Sequence, residues 1–297
     1  MNKYMITYDE IVELVHKAST SISADVLELM HKALAAERQP HAKAMLQTMV
    51  DNVEIAAALD KPVCQSPGIP TVYIRFDDDA ELEDLVAFIP KAVSECTGKG
   101  YLRPSIVHPL TRKNSGDNCG RGVPNMEFQY VPGQPYLEVI LSSKGCGAEL
   151  GNVSTILTPT TLGKDFVGLK KLVLETIVKA GGIPCPPTGI GIGIGGQMDV
   201  SAKLSRESIS TRDWRDTNPD PLLAELEAEL LGNINKLGLG AAGIGGDTSC
   251  LAVKMATAHT HTAICPVTIN FHCWVARRFG VRMYEGGERE FLFRGGN

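Results

Sequence analysis

The sequence predicts a mixed α/β (α+β) protein, with an N-terminal helical segment over residues 1–60 and then mixed sheets flanked by helices over 61–297. Three observations predict it. Apolar residues recur at helical spacing up to residue 60. From Lys61 the character changes to proline- and glycine-rich loops separating short apolar runs. Beyond these, amphipathic helical patterns at 165–182 and 219–238 interleave with strand patterns, so residues 61–297 are expected to form one continuous unit.

The elements follow in order. Thr7 and Glu10 make a T-x-x-E capping box ahead of Ile11, Leu14 and Val15, which starts the first helix. Periodic segments cover Ala24 to Ala36 and His41 to Leu59, with Pro40 as the break between them. Pro62, Pro67, Gly68 and Pro70 make a stiff loop, and TVYIR (71–75) reads as a strand. ELEDLVAFIPKAV (81–93) has helical spacing despite Pro90, and residues 109–125 are turn-rich and polar, hence a loop. YLEVILSS (136–143) alternates as a strand. DFVGLKKLVLETIVKAGG (165–182) is a helix stopped by glycines. TGIGIGIGG (188–196) reads as a buried strand, while QMDVSAKLS after it makes a poor helix start. PDPLLAELEAELLGNINKLG (219–238) is a helix and PVTINF (266–271) a buried strand.

The 297 residues carry a formal charge of −5, which offers no basic surface for sequence-independent nucleic-acid binding. No apolar run reaches the roughly 18 residues of a spanning helix. The N-terminus has acids where a signal peptide needs an apolar core, so the expected location is the cytosol, without membrane contact. Eight cysteines in such a chain read as thiols or metal ligands rather than as a disulfide framework. They stand at 64, 96, 119, 146, 185, 250, 265 and 273 with no CxxC pair, which excludes a zinc ribbon or a local ferredoxin run.

Five segments could carry chemistry. Cys64 lies between prolines in PVCQSPGIP, and Cys185 in GGIPCPP follows a helix end among three prolines. Gly191, Gly193 and Gly196 match G-x-G-x-x-G, which opens a nucleotide-binding oxidoreductase reading; the plainer reading is a flat strand packed closely by another backbone. HTHTAICPVTINFHCWVARR gathers His259, His261, Cys265, His272 and Cys273; His261, Cys265 and Cys273 share parity, so a zinc site is conceivable. Arg277 and Arg278 after them could hold anions. NSGDNCGRGVP holds Cys119. SSKGCGAELGN (142–152) holds Lys144, Cys146 and Glu149 in a Gly-rich turn whose N–H groups suit carboxylates.

Taken together and in this order, these segments resemble the iron–sulfur hydro-lyases that include class I fumarases and L(+)-tartrate dehydratases. The likeness is to their alpha subunit, or to the N-terminal half of the single-chain forms. The residues that carry it are Cys64-Gln65, Leu102-Arg103-Pro104, Lys144-Gly145-Cys146-Gly147 and Cys185-Pro186-Pro187. His261 twelve residues before Cys273, and Cys273-Trp274-Val275-Ala276-Arg277-Arg278, complete the set.

The resemblance implies a [4Fe–4S] cluster held by three thiolates, Cys64, Cys185 and Cys273, with one iron not ligated by protein. An open iron suits the chemistry as a Lewis acid, because dehydrating a 2-hydroxy dicarboxylate requires hydroxide to leave carbon. It further implies that Gln65, Arg103, Lys144, Gly145, Gly147 and His261 bind substrate, with malate/fumarate the first choice and tartrate the second. His261 is also a catalytic candidate. So is Ser66, which stands where the family has an acid in Cys-Gln-Asp-Thr-Gly and cannot supply a carboxylate. Single-chain members continue where this sequence stops, so the resemblance implies a separate beta subunit, an α2β2 assembly and an oxygen-sensitive site shared between subunits. The Ser66 departure leaves one alternative open, a non-enzymatic cluster-binding paralogue. Cys96, Cys119, Cys250 and Cys265 are expected to be structural, and Cys146 is left open.

Overall fold

The computed structural model describes residues 3–294. Contacts divide the described residues into two compact units: residues 3–24, 52–145 and 275–294 form one, and residues 25–51 and 146–274 the other. An α+β architecture results, and among the described residues no helix is long and apolar enough to cross a membrane.

The first unit is built on a five-stranded sheet in the order β2-β1-β3-β8-β9. Its strands are β1 (Ile69–Phe76), β2 (Asn125–Tyr130), β3 (Tyr136–Lys144), β8 (Arg277–Tyr284) and β9 (Arg289–Leu292). β1 and β2 run parallel, and the other pairs are antiparallel. Helices α1 (Tyr8–Thr20) and α4 (Glu83–Gly98) supply the rest of its core. Leu14, Val15, Leu85, Ile89 and Val93 pack there with Val72, Ile74, Val139, Leu141 and Val281. The Thr7–Glu10 capping box forms as expected. α4 runs on through Pro90, because burial of Leu85, Ile89, Ala92, Val93 and Cys96 outweighs the one backbone hydrogen bond that a proline removes.

The second unit holds a four-stranded sheet in the order β4-β7-β5-β6. Its strands are β4 (Val153–Leu157), β5 (Thr188–Gly195), β6 (Cys250–Ala258) and β7 (Cys265–His272). Its helices are α2 (Ala24–Ala36), α3 (Pro40–Leu59, whose last part belongs to the first unit), α5 (Cys146–Leu150), α6 (Pro159–Leu162), α7 (Val167–Ala180), α8 (Met198–Thr211) and α9 (Pro221–Lys236). Pro40 is the first residue of α3 rather than a break before it. A proline fits there, since its missing N–H would be unpaired in any residue at that position.

Helix α8 corrects the reading of QMDVSAKLS as a poor helix start. Its inner face is Ser201, Ser205 and Ser208, all buried, so it carries little apolar signal in sequence. The reason lies in β5. A Cβ on Gly191 would fall 1.9 Å from the Ser205 carbonyl oxygen, and one on Gly193 would fall 2.0 Å from that of Ser201. Strand and helix meet backbone to backbone, which only glycine and small residues allow.

Candidate functional site

In the first unit, the residue before Cys64 is held from both sides. The Val63 N–H donates to the Ser19 carbonyl at 3.2 Å, and its carbonyl accepts from Asn52 Nδ2 at 2.9 Å. Cys64 follows half-buried, Gln65 is exposed and Ser66 is half-buried. Gly68 has φ +82°, and a Cβ there would lie 2.3 Å from the Lys144 carbonyl oxygen. A Cβ on Gly145 would lie 3.5 Å from Ser66 Oγ. The Cys64–Gly68 loop is therefore laid against Lys144 and Gly145, the last strand residue of β3 and the one after it. Two motifs about 80 residues apart in sequence meet there.

Lys144 is buried, and so are Arg277 and Arg278, which open β8 opposite Ser143 and Ser142. Arg278 Nη2 donates to Ser23 Oγ at 2.9 Å. Arg277 Nη1 is buried with no hydrogen-bond partner among the described residues. Arg103 is exposed, just after the buried Leu102.

In the second unit, Cys185 is exposed on the turn between α7 and β5, with φ +56°. A non-glycine residue in that left-handed region is strained, and such strain gathers at working sites. The Cys185 N–H donates to the Gly182 carbonyl at 3.1 Å, and the Cys185 carbonyl accepts from the Trp274 N–H at 3.4 Å. The second bond places Cys185 next to Cys273, which is buried just past the end of β7. Gly147 joins them, since a Cβ on it would lie 2.4 Å from the Ile183 carbonyl oxygen. The Ala242 N–H donates to the Pro186 carbonyl at 2.8 Å, so the glycine-rich loop over 238–246 backs the same turn. Sequence reasoning missed that loop. Its run of glycines was a visible sign, but its target was not.

The structure does not bring His261 to Cys273. His261 lies in the turn before β7 and Cys273 just past its other end, roughly 25 Å away at about 3.3 Å per strand residue. The same geometry separates Cys265 from Cys273, so the conceived zinc group of His261, Cys265 and Cys273 does not assemble. His261 itself is exposed, and its Nδ1 accepts from the Ala263 N–H at 3.2 Å, which places the proton of a neutral ring on Nε2. Two glycines of the dinucleotide pattern, Gly191 and Gly193, lie inside the sheet against the α8 backbone, and Gly196, just past β5, would meet the Val200 side chain.

The thiols sort by environment. Burial pushes Cys96 up to about 11 and Cys250 up to about 12, and it raises Cys119 and Cys265 as well. Such thiols stay protonated and make poor ligands. Cys185 on an exposed strained turn and Cys273 beside it are soft sulfur donors within the second unit, and Cys64 is a half-buried one in the first; sulfur donors of this kind are chemically suited to iron–sulfur ligation.

The sequence pattern of the fumarate hydratase (fumerase) family matches residues 8–282. The chain belongs to this family. Membership makes it a hydro-lyase and removes the nucleotide-binding oxidoreductase reading. A Methanocaldococcus jannaschii protein provisionally named L(+)-tartrate dehydratase subunit alpha is 38% identical over 275 residues, covering 91% of this chain and 95% of that one. L(+)-tartrate dehydratase subunit alpha of Escherichia coli strain K12 is 31% identical over 261 residues, covering 88% and 85%. A Geobacillus stearothermophilus protein provisionally named fumarate hydratase class I is 34% identical over 283 residues, 93% of this chain but 54% of the relative. This fumerase-family chain therefore matches two alpha subunits over most of their length and about half of a longer protein.

Proposed function

We propose that the chain is the alpha subunit of a [4Fe–4S]-dependent hydro-lyase that reversibly dehydrates a 2-hydroxy dicarboxylate. Malate/fumarate is the first choice of substrate and tartrate the second. The observation that carries the reading is the turn that seats Cys185 beside Cys273 through the Trp274 N–H, with Gly147 packed on the same turn. Cys64, Cys185 and Cys273 would hold the cluster. When bound, the cluster supplies an open iron that polarises the leaving hydroxyl.

The chain's own residues bind and orient. Arg103 pairs with a carboxylate, which a planar guanidinium grips at two points. The N–H groups of Gly145 and Gly147 are backbone donors for carboxylate oxygens, and Lys144 adds positive charge behind them. Gln65, next to Cys64, donates to the substrate. Ser66 holds or passes a proton through its hydroxyl where the family resemblance places an acid. His261 is not assigned to the site that Cys185 and Cys273 build in their own chain. The proton base is assigned to a second, beta chain, in keeping with the alpha-subunit names of the relatives.

Anaerobically prepared protein tests the reading through iron and acid-labile sulfide, and through electron paramagnetic resonance before and after mild oxidation. About four of each per chain, with a three-iron signal on oxidation, is expected. Co-production with the beta chain should then give turnover of malate or tartrate. Absence of iron after reconstitution rejects the cluster. Iron without turnover of any 2-hydroxy dicarboxylate rejects the substrate class.

A further inference from the structure

Arg103 sits on an irregular segment, yet its backbone is not loosely held. Asn118, which is 1% exposed, makes four hydrogen bonds with its carboxamide. Its Oδ1 accepts from the Ser105 N–H at 2.8 Å and the Ile106 N–H at 3.3 Å. Its Nδ2 donates to the Arg103 carbonyl at 3.0 Å and to Thr97 Oγ1 at 3.0 Å. Both oxygen lone pairs and both N–H groups of the amide are used.

The amide is itself fixed to α4. Thr97 Oγ1 donates to the Val93 carbonyl at 2.7 Å and lies 3.2 Å from the Asp117 carbonyl, and Cys119 Sγ donates to the Pro90 carbonyl at 3.3 Å. Asn118 has φ +59°, a left-handed conformation that asparagine tolerates better than most residues. On the other side of Arg103, Tyr101 Oη donates to Asp60 Oδ2 at 2.7 Å, and Asp60 Oδ1 meets His16 Nε2 at 2.7 Å. The segment is thus anchored on both sides of an exposed guanidinium, and the buried anchor spends its whole hydrogen-bonding capacity there.

We infer that Asn118 is a positioning residue that sets the backbone of Arg103 for carboxylate binding. A side chain with a long flexible stem grips a planar carboxylate well only when its backbone origin is fixed. The inference rests on the reading of Arg103 as a carboxylate-binding group.

The test is a double-mutant cycle on the full-length chain with its beta chain, read by calorimetric titration with succinate, a dicarboxylate that undergoes no dehydration. Asn118→Asp keeps the shape but puts an oxygen against the Arg103 carbonyl. Succinate affinity should fall about tenfold, while iron content stays at the wild-type level. In an Arg103→Ala background the same change should cost less than about twofold. If Asn118→Asp fails to fold, Thr97→Val removes one partner of Nδ2 and should give a smaller loss with the same non-additivity.

A purely structural role would lower the melting temperature and leave the affinity of the folded protein alone. Unchanged succinate affinity in the Asn118 variant, multiplicative effects in the cycle, or no succinate binding by the wild type each overturns the inference. Failure of the hydro-lyase reading is seen separately, as missing iron or missing turnover, because the titration needs neither.

Discussion

Gly147 and Ile183 approach so closely that a Cβ on the glycine would lie 2.4 Å from the Ile183 carbonyl oxygen. Backbone packs on backbone there, next to the turn that presents Cys185. Gly147→Ala has to push that turn away, and the expected cost is about 1–3 kcal/mol of stability, as for other overpacked sites. Iron content should fall with it. Gly145→Ala is the control, because its nearest neighbour would be Ser66 Oγ at 3.5 Å, an ordinary contact. Iron analysis and thermal melts of the two variants decide; equal behaviour would reject the packing argument.

Cys185→Ser and Cys273→Ser should each abolish cluster retention, as should Cys64→Ser. Cys96→Ser should not, because Cys96 is a buried, protonated thiol whose Sγ donates to the Val12 carbonyl at 3.7 Å, a bond that serine can also make. His261→Ala should keep its iron in full, being at the other end of β7. Iron and sulfide analysis of the set checks this, and normal iron in any of the three ligand variants refutes the assignment for that residue.

Gly193→Ala tests the contact between β5 and α8. Its Cβ would meet the Ser201 carbonyl oxygen at 2.0 Å and the Ser205 nitrogen at 2.6 Å. Neither atom belongs to a flexible side chain, so the loss should exceed about 3 kcal/mol in urea unfolding. A neutral result would mean that strand and helix can slide apart.

Arg38 grips Asp247 through Nε at 2.8 Å and Nη2 at 2.7 Å, and these hydrogen bonds hold the Asp247 carboxyl down at about 2 from its ordinary 3.8. A depressed carboxylate contributes stability that is complete above its unfolded value and is lost as pH falls through the folded one. The contribution of this pair should therefore vanish between about pH 4 and pH 2. Asp247→Asn should remove that part of the acid sensitivity and lower stability slightly at neutral pH. Melts from pH 2 to 7 check it; identical pH profiles for the two proteins would reject the pair as a contributor.

Much of the fold was legible where local signals agree with burial. The Thr7–Glu10 box, the Ala24–Ala36 periodicity and the alternation of 136–143 each needed only neighbours in sequence. α8 was hidden because its buried face is serine, and the demand for serine comes from glycines on another element. The tight backbone at the Cys185 turn and along Lys144–Gly147 could be read from sequence, since proline and glycine advertise a constrained backbone. Asn118 could not, because a polar residue in a polar loop shows its burial only after α4 has folded against it. The separation of His261 from Cys273 was hidden by parity. Residues of like parity share a face of a strand, but an eight-residue strand still sets them apart along its length.

The glycine seam between β5 and α8 has a mechanical consequence. Side-chain layers act as cushions, since rotamers can turn and absorb a shift of one element against another. Gly191 and Gly193 offer no such layer against Ser205 and Ser201. Helix and strand must therefore travel as a single stiff beam. The Cys185 turn feeds directly into the start of that beam. Any movement that admits a ligand there has to be taken up ahead of the packed turn, at Gly181, where a Cβ would meet only the Val178 carbonyl oxygen at 3.9 Å.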